Sequence, residues 1–162
     1  YFFPDTHWTW LGFAAALAAV NADTWATELG VLNPTRPRMI TNLKQKVEKG
    51  TSGGVSVMGT FASLAGSVLI GILAGIFSPN GNILPIFTLI TLAGLLGALF
   101  DSYLGATVQA IYHCPSCEKE TERHPIHLCG TETRFKRGFK WLTNDWVNFA
   151  CATTGVLIAL VF

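Results

Sequence analysis

The residues best equipped for chemistry in this chain are carboxylates and amides set at the ends of apolar runs. The first group, Asn21-Ala22-Asp23-Thr24-Trp25-Ala26-Thr27-Glu28, follows an almost entirely apolar run from Trp8 to Val20, and no Lys or Arg stands beside Asp23. A carboxylate at membrane depth is costly unless it is paired, hydrated or on a metal. On a helix, Asp23 and Thr27 fall four apart, as do Thr24 and Glu28, giving a broad polar rim that suits a helix end facing a wet cavity. The plainer alternative is a helix cap at a membrane boundary. The second group centres on Asp101, after the stretch Leu92 to Phe100 that has no polar side chain. The third is Asn144, Asp145 and Asn148, with the two amides four apart on one helical face. Oxygen ligands of this kind suit Mg²⁺, a hard cation that keeps some of its waters.

A phosphate-binding element accompanies them. Gly50-Thr51-Ser52-Gly53-Gly54 precedes an apolar segment and follows Lys44, Lys46 and Lys49. Glycines let backbone N–H groups turn toward an anion, and a helix N-terminus adds donors and a positive dipole end. The loop is not a Walker A motif, because its lysine comes before the glycines. A metal beside a basic, glycine-rich loop is the equipment of phosphoryl transfer. A last set, Cys114-Pro115-Ser116-Cys117 followed by His124, His127 and Cys129, has the spacing of a tetrahedral zinc site. The expected ligands are Cys114, Cys117, His127 and Cys129, with His124 or His113 as substitutes. With no open position, such a zinc would be structural. Free thiols are the alternative, and Cys151 reads as core.

The elements that must position these groups are membrane helices. Half of the 162 residues are apolar and 13% are charged, with mean hydropathy +0.41. That composition excludes an ordinary soluble enzyme. Four segments, Trp8 to Thr27, Gly54 to Phe77, Ile83 to Ala110 and Leu142 to Phe162, are long enough to cross a bilayer. The fold class is therefore all-α, a polytopic transmembrane helix bundle with about four spanning helices in one membrane domain over 1–162. Ser78-Pro79-Asn80-Gly81-Asn82 marks a short uncharged turn between the second and third. All Lys and Arg fall in two segments, Arg36 to Lys49 and Lys119 to Lys140. Positive residues face the cytoplasm, so both loops, about 31–52 and the Cys/His loop 112–140, are expected there. All three acidic and amide groups then share the cytoplasmic end, and the other end carries only Asp5. Small residues in the second and third helices, including Gly59, Gly66, Gly71, Gly94 and Gly97, predict close helix packing. With no initiator Met and an apolar start, the chain reads as an N-terminally truncated part of a longer protein.

Four motifs in order, Asn21 to Gly30, Gly50 to Ser56, Asp101 to Ala106 and Asn144 to Asn148, resemble the successive signatures of the transmembrane protein 19 family, which includes plant chloroplast phytyl-phosphate kinases. The resemblance covers nearly the whole chain. It implies an enzyme converting a prenyl monophosphate to the diphosphate with a nucleoside triphosphate, CTP-like, as donor and Mg²⁺ as cofactor. Asp23, Glu28, Asp101, Asn144 and Asn148 match the family's polar positions. The chain departs from the eukaryotic branch at Asp145 and Trp146, and parts of the family lack the Cys/His loop. The reading that results is a prenyl-phosphate kinase. Asp23, Asp101 and Asp145 hold Mg²⁺, Asn144 and Asn148 support them, and Gly50 to Gly54 with Lys49 and Arg38 hold phosphates. The lipid tail is expected between the small-residue faces of the second and third helices. The expected partners are the membrane, prenyl phosphate and nucleotide, with no nucleic acid. The alternative is a transporter or flippase for an anionic lipid or small phosphate.

Overall fold

A computed structural model describes residues 7–78 and 81–161. Four helices dominate it: α1 (His7–Gly30), α2 (Val57–Ile76), α3 (Ile83–Thr107) and α4 (Asn144–Val161). By length and composition, α2, α3 and α4 can each cross a membrane. At 24 residues and about 1.5 Å per residue, α1 is also long enough, but its last turns carry Asn21, Asp23, Thr24 and Glu28 and lower its apolar character. Asp5 and the turn residues Pro79 and Asn80 lie outside the described residues.

The helices pack through small side chains. Every buried residue of α1 is an alanine: Ala14, Ala15, Ala18, Ala19 and Ala22. Their spacing makes one stripe at helical period, and α1 packs against α2, α3 and α4 in turn. A Cβ added at Gly94 or Gly97 of α3 would strike Ala18 or Ala19, and one at Gly155 of α4 would meet the Ala15 carbonyl at 2.8 Å. The glycine stripe of α2 divides between two partners. Gly59 and Gly66 lie against Ala26 and Asn21 of α1, whereas Gly71 and Gly75 lie against Phe87, Thr91 and Ile83 of α3. Asn21 donates from Nδ2 to the Gly66 carbonyl at 2.9 Å, so this amide ties α1 to α2. The α2–α3 faces therefore fill one another, and the lipid tail expected between them has no room there.

The two charged loops fold into small antiparallel sheets. In the first, β1 (Arg38–Met39) lies between β2 (Asn42–Lys46) and β3 (Gly54–Val55). In the second, β4 (Ile111–Cys114) lies between β5 (Lys119–Thr121) and β6 (Arg134–Arg137). These strands are two to five residues long, below the length at which alternation reads clearly in a polar, basic segment. The glycine loop therefore runs into β3 before α2 begins, and Ser56 caps α2 by accepting from the Gly59 N–H at 3.0 Å. Because α1 and α3 end where these sheets begin, both sheets sit at one end of the bundle.

Candidate functional site

A cavity of about 540 Å³ opens at that end. The last turns of α1 and α3, the first turns of α2 and α4, the first sheet and Glu122, just after β5 of the second, enclose it. Asp23 and Glu28 come from α1, Lys49 to Gly54 from the glycine loop, and Ser56, Gly59 and Ser63 from α2. Asp101 and Ser102 come from α3, and Asn144 and Asn148 from α4. Residues from four distant parts of the chain thus line one space.

The glycine loop is fixed in place by α3. Gly53 has φ 79°, a left-handed conformation that favours glycine, and a Cβ there would collide with Ala106. A Cβ at Gly105 would in turn meet the Ser52 hydroxyl and the Gly53 nitrogen. The Ser52 hydroxyl donates at 2.7 Å to Oε1 of Gln109, whose Nε2 donates at 3.2 Å to Oδ1 of Asn144. Gln109 is 1% exposed. It joins the glycine loop, the end of α3 and the start of α4 through a single side chain, a role the sequence reading missed. A buried amide must find partners, so a lone Gln at the end of a long apolar run was the available signal.

The cavity is acidic. Among the described residues its wall holds Asp23, Glu28, Asp101 and Glu122 against one cation, Lys49. The Lys49 ammonium is engaged with the Val31 carbonyl at 2.9 Å, just past the end of α1. Asp23, Asp101 and Glu122 lie within electrostatic reach of one another. The Oδ2 atom of Asp101 is buried with no hydrogen-bond partner. Like charges gathered around an orphan oxygen require protons or a cation, and an all-oxygen set fits Mg²⁺. The carboxylates do not close into a cage, however. Among the described residues, only the Cys/His set gathers its ligand atoms within 4.8 Å. A cation among the carboxylates would leave positions for water or phosphate oxygens, as Mg²⁺ ordinarily does.

Two residues expected at this site lie elsewhere. Asp145 is exposed and is not in the cavity wall. Asn144 and Asn148 share the face that lines the cavity, and a residue one position on is turned about 100° away. Arg38, on β1, is also outside the wall, and its guanidinium donates to the Leu43 carbonyl across the hairpin. Arg137 donates to the Gly105 and Ala106 carbonyls, both at 3.1 Å, and so satisfies the end of α3. Glu122, one residue after β5, is in the cavity wall near Asp23 and Asp101. A glutamate in a charged loop gives no sequence signal, so its approach to Asp23 and Asp101 could be seen only in three dimensions.

The second sheet carries a candidate metal cluster. Cys114 Sγ lies 3.5 Å from Cys129 Sγ, Cys117 Sγ lies 3.5 Å from His127 Nδ1, and His127 Nδ1 lies 3.2 Å from Cys129 Sγ. All four are the ligands expected from the spacing. His124 instead stacks on Tyr112, with ring centroids 4.4 Å apart and planes 9° from parallel. Contacts from Thr131 and His127 favour the Cys129 thiolate and bring it down to about 5. The neighbouring Cys129 sulfur, together with burial, holds the Cys117 thiol up at about 11. Cys151 is buried within α4, as expected of a core residue.

Comparison with known proteins agrees with the motifs. The profile of the family "integral membrane protein DUF92" matches residues 1–156. Protein PGR of Arabidopsis thaliana is 37% identical over 147 residues, which are 85% of this chain and 49% of that protein. An uncharacterized membrane protein of Synechocystis is 35% identical over 156 residues, 94% of this chain and 48% of the relative. Protein VTE6, chloroplastic, of Arabidopsis thaliana is 27% identical over 154 residues, 93% of this chain and 37% of that protein. The chain thus spans about half or less of the length of these curated relatives. No solved structure matches it.

Proposed function

We propose, since this chain belongs to the integral membrane protein DUF92 family, that it forms the catalytic end of a membrane-embedded kinase acting on a prenyl monophosphate. The reaction is the one implied by the motif resemblance. A terminal oxygen of the prenyl monophosphate forms a new bond to the γ-phosphorus of a nucleoside triphosphate, CTP-like, as the bond to the β-phosphate oxygen breaks. The products are the prenyl diphosphate and the nucleoside diphosphate. The observation that carries this reading is the meeting of Asp23, Asp101 and Glu122 with the glycine loop and the start of α2 in one cavity.

Asp23, Asp101 and Glu122 are the residues that would hold Mg²⁺, with Asn148 beside them. Bound there, Mg²⁺ would neutralise phosphate charge and align donor with acceptor. The loop from Gly50 to Gly54, Ser56 and the α2 N-terminus would bind phosphate oxygens through N–H and O–H donors. Lys49 stands next to them as a point charge. Gln109 keeps Ser52 and Asn144 in register and so acts as a positioning residue. Since all Lys and Arg lie at the end that holds the cavity, that end faces the cytoplasm, where nucleotide is supplied.

Two features favour an enzyme over an anion transporter. The cavity is lined from one end of the bundle only, and its wall carries four carboxylates against one lysine. Such a wall repels a free anion and accepts a polyphosphate that arrives with divalent cations. The test uses the full-length protein in nanodiscs with Mg²⁺, phytyl monophosphate and labelled CTP or ATP. Labelled prenyl diphosphate is expected, and Asp23→Asn and Asp101→Asn should each reduce it by about 10²-fold or more. Absence of product with both nucleotides, or undiminished product in these variants, would overturn the reading.

A further inference from the structure

The kinase reading makes no use of the four ligand atoms on the second sheet. We propose that Cys114, Cys117, His127 and Cys129 bind one structural zinc ion, and that this ion holds Glu122 at the cavity. The first half stands independently, and the second rests on the kinase reading for the use made of Glu122.

The geometry fits zinc. With Zn–S about 2.3 Å and Zn–N about 2.0–2.1 Å, tetrahedral ligands stand about 3.5–3.8 Å apart. Here the sulfur pair Cys114–Cys129 stands 3.5 Å apart and the His127 Nδ1 atom 3.5 and 3.2 Å from the Cys117 and Cys129 sulfurs. The Cys114–Cys129 separation is too long for a disulfide, whose sulfurs lie about 2.05 Å apart, and the cysteines are free. Two short turns bring the ligands together. One follows Cys114 at the end of β4 and passes through Glu118 at φ 53°, and the other ends at Gly130 with φ 82°. The second turn is closed by the Gly130 N–H on the His127 carbonyl at 2.9 Å and the His127 N–H on the Thr131 carbonyl at 2.9 Å.

The ribbon also needs an ion. Apart from Ile111 and Tyr112 of β4, its apolar side chains are exposed, with Ile126 56% exposed, Leu128 76% and Phe135 41%. Elements this small ordinarily need a metal or disulfides to hold their shape. Only β4 is mainly buried.

Glu122 depends on this ribbon through register. The Cys114–Cys117 turn joins β4 to β5, which pair as Tyr112↔Thr121, His113↔Glu120 and Cys114↔Lys119. Glu122 is the next residue after β5. There it borders both the main cavity and a small cleft beside Gly50 and Ser52. A turn clamped by the ion sets the register, and a slip by one residue would put the Glu122 carboxylate on the opposite face.

The experiment measures metal on the purified full-length protein. One zinc per chain is expected in the wild type and in Cys151→Ser, and none in Cys117→Ser or His127→Ala. A zinc-free wild type, iron in place of zinc, or undiminished zinc in both ligand variants would overturn the site. To separate loss of the ion from loss of the fold, wild-type protein is stripped with a chelator and its helical circular dichroism recorded. Trypsin should then cut after Lys119 and Arg123 faster, while the helical signal holds. Mn²⁺ bound at the carboxylates, read by electron paramagnetic resonance, should weaken about 10-fold or more, to the level of Glu122→Gln. Unchanged Mn²⁺ affinity in the stripped protein would overturn the positioning role and leave the zinc site standing. A zinc-loaded protein that forms no prenyl diphosphate would count against the kinase and not against the zinc.

Discussion

Asp101 concentrates the chemistry of the cavity, because its Oδ2 is buried and has no hydrogen-bond partner. Replacing it with Asn removes the charge and keeps the shape. Asp101→Asn and Asp23→Asn should each lower turnover by about 10²-fold or more, the scale of losing a main electrostatic contact in a reacting site. Glu122→Gln should also lower it, whereas the exposed Asp145→Asn should leave it at the wild-type level. Initial rates with prenyl monophosphate and nucleotide check all four. The sequence made Asp23, Asp101, Asn144 and Asn148 legible because each interrupts or borders an apolar run, where a polar side chain demands a reason. Asp145 has the same residue type and neighbourhood, and only the phase of α4 separates it from the site. Glu122 lacked that contrast, lying in a charged loop, while Gln109 had it at the end of an apolar run and was overlooked.

At the scale of elements, close backbone approach decides what can move. Gly53 packs on Ala106 with a left-handed backbone. Gly53→Ala should therefore push the glycine loop off α3 at a cost of about 1–3 kcal/mol and weaken nucleotide binding, read by calorimetry. Gln109→Leu breaks the bonds to Ser52 and Asn144. It should destabilise the protein by about 1–3 kcal/mol, the cost of leaving buried polar groups unpaired, seen as a lower thermal midpoint in detergent. The small-residue spacing of α2 revealed that helices would approach closely, but it could not reveal that Gly59 and Gly66 serve α1 while Gly71 and Gly75 serve α3. The two sheets were less legible still. Strands of two to five residues carry too few side chains for a period to emerge, and their registers come from turns and from contacts with the helix ends.

For the whole molecule, the two loops that carry every Lys and Arg flank the same end of the bundle. Trypsin should therefore cut the protein in sealed vesicles from the cytoplasmic side and leave it intact from the other, as gel analysis of inverted and right-side-out vesicles would show. Cleavage from both sides would contradict the shared end. Membrane character and the three most apolar helices were readable from hydropathy, because a bilayer imposes a minimum length on any crossing helix, whereas α1, counted among four spanning helices from the sequence, is less apolar than the others.

The far half of the bundle is closed by glycine and alanine contacts between α1, α3 and α4 and between α2 and α3. A substrate whose headgroup rests among the carboxylates cannot thread its hydrocarbon down the axis, so the tail must leave sideways into the lipid. On the proposed kinase reading, these four helices would then set no length limit on the substrate. Farnesyl, geranylgeranyl and phytyl monophosphates should be phosphorylated with similar kcat/KM, and preference among them in a cell would reflect which alcohol phosphate the surrounding bilayer contains.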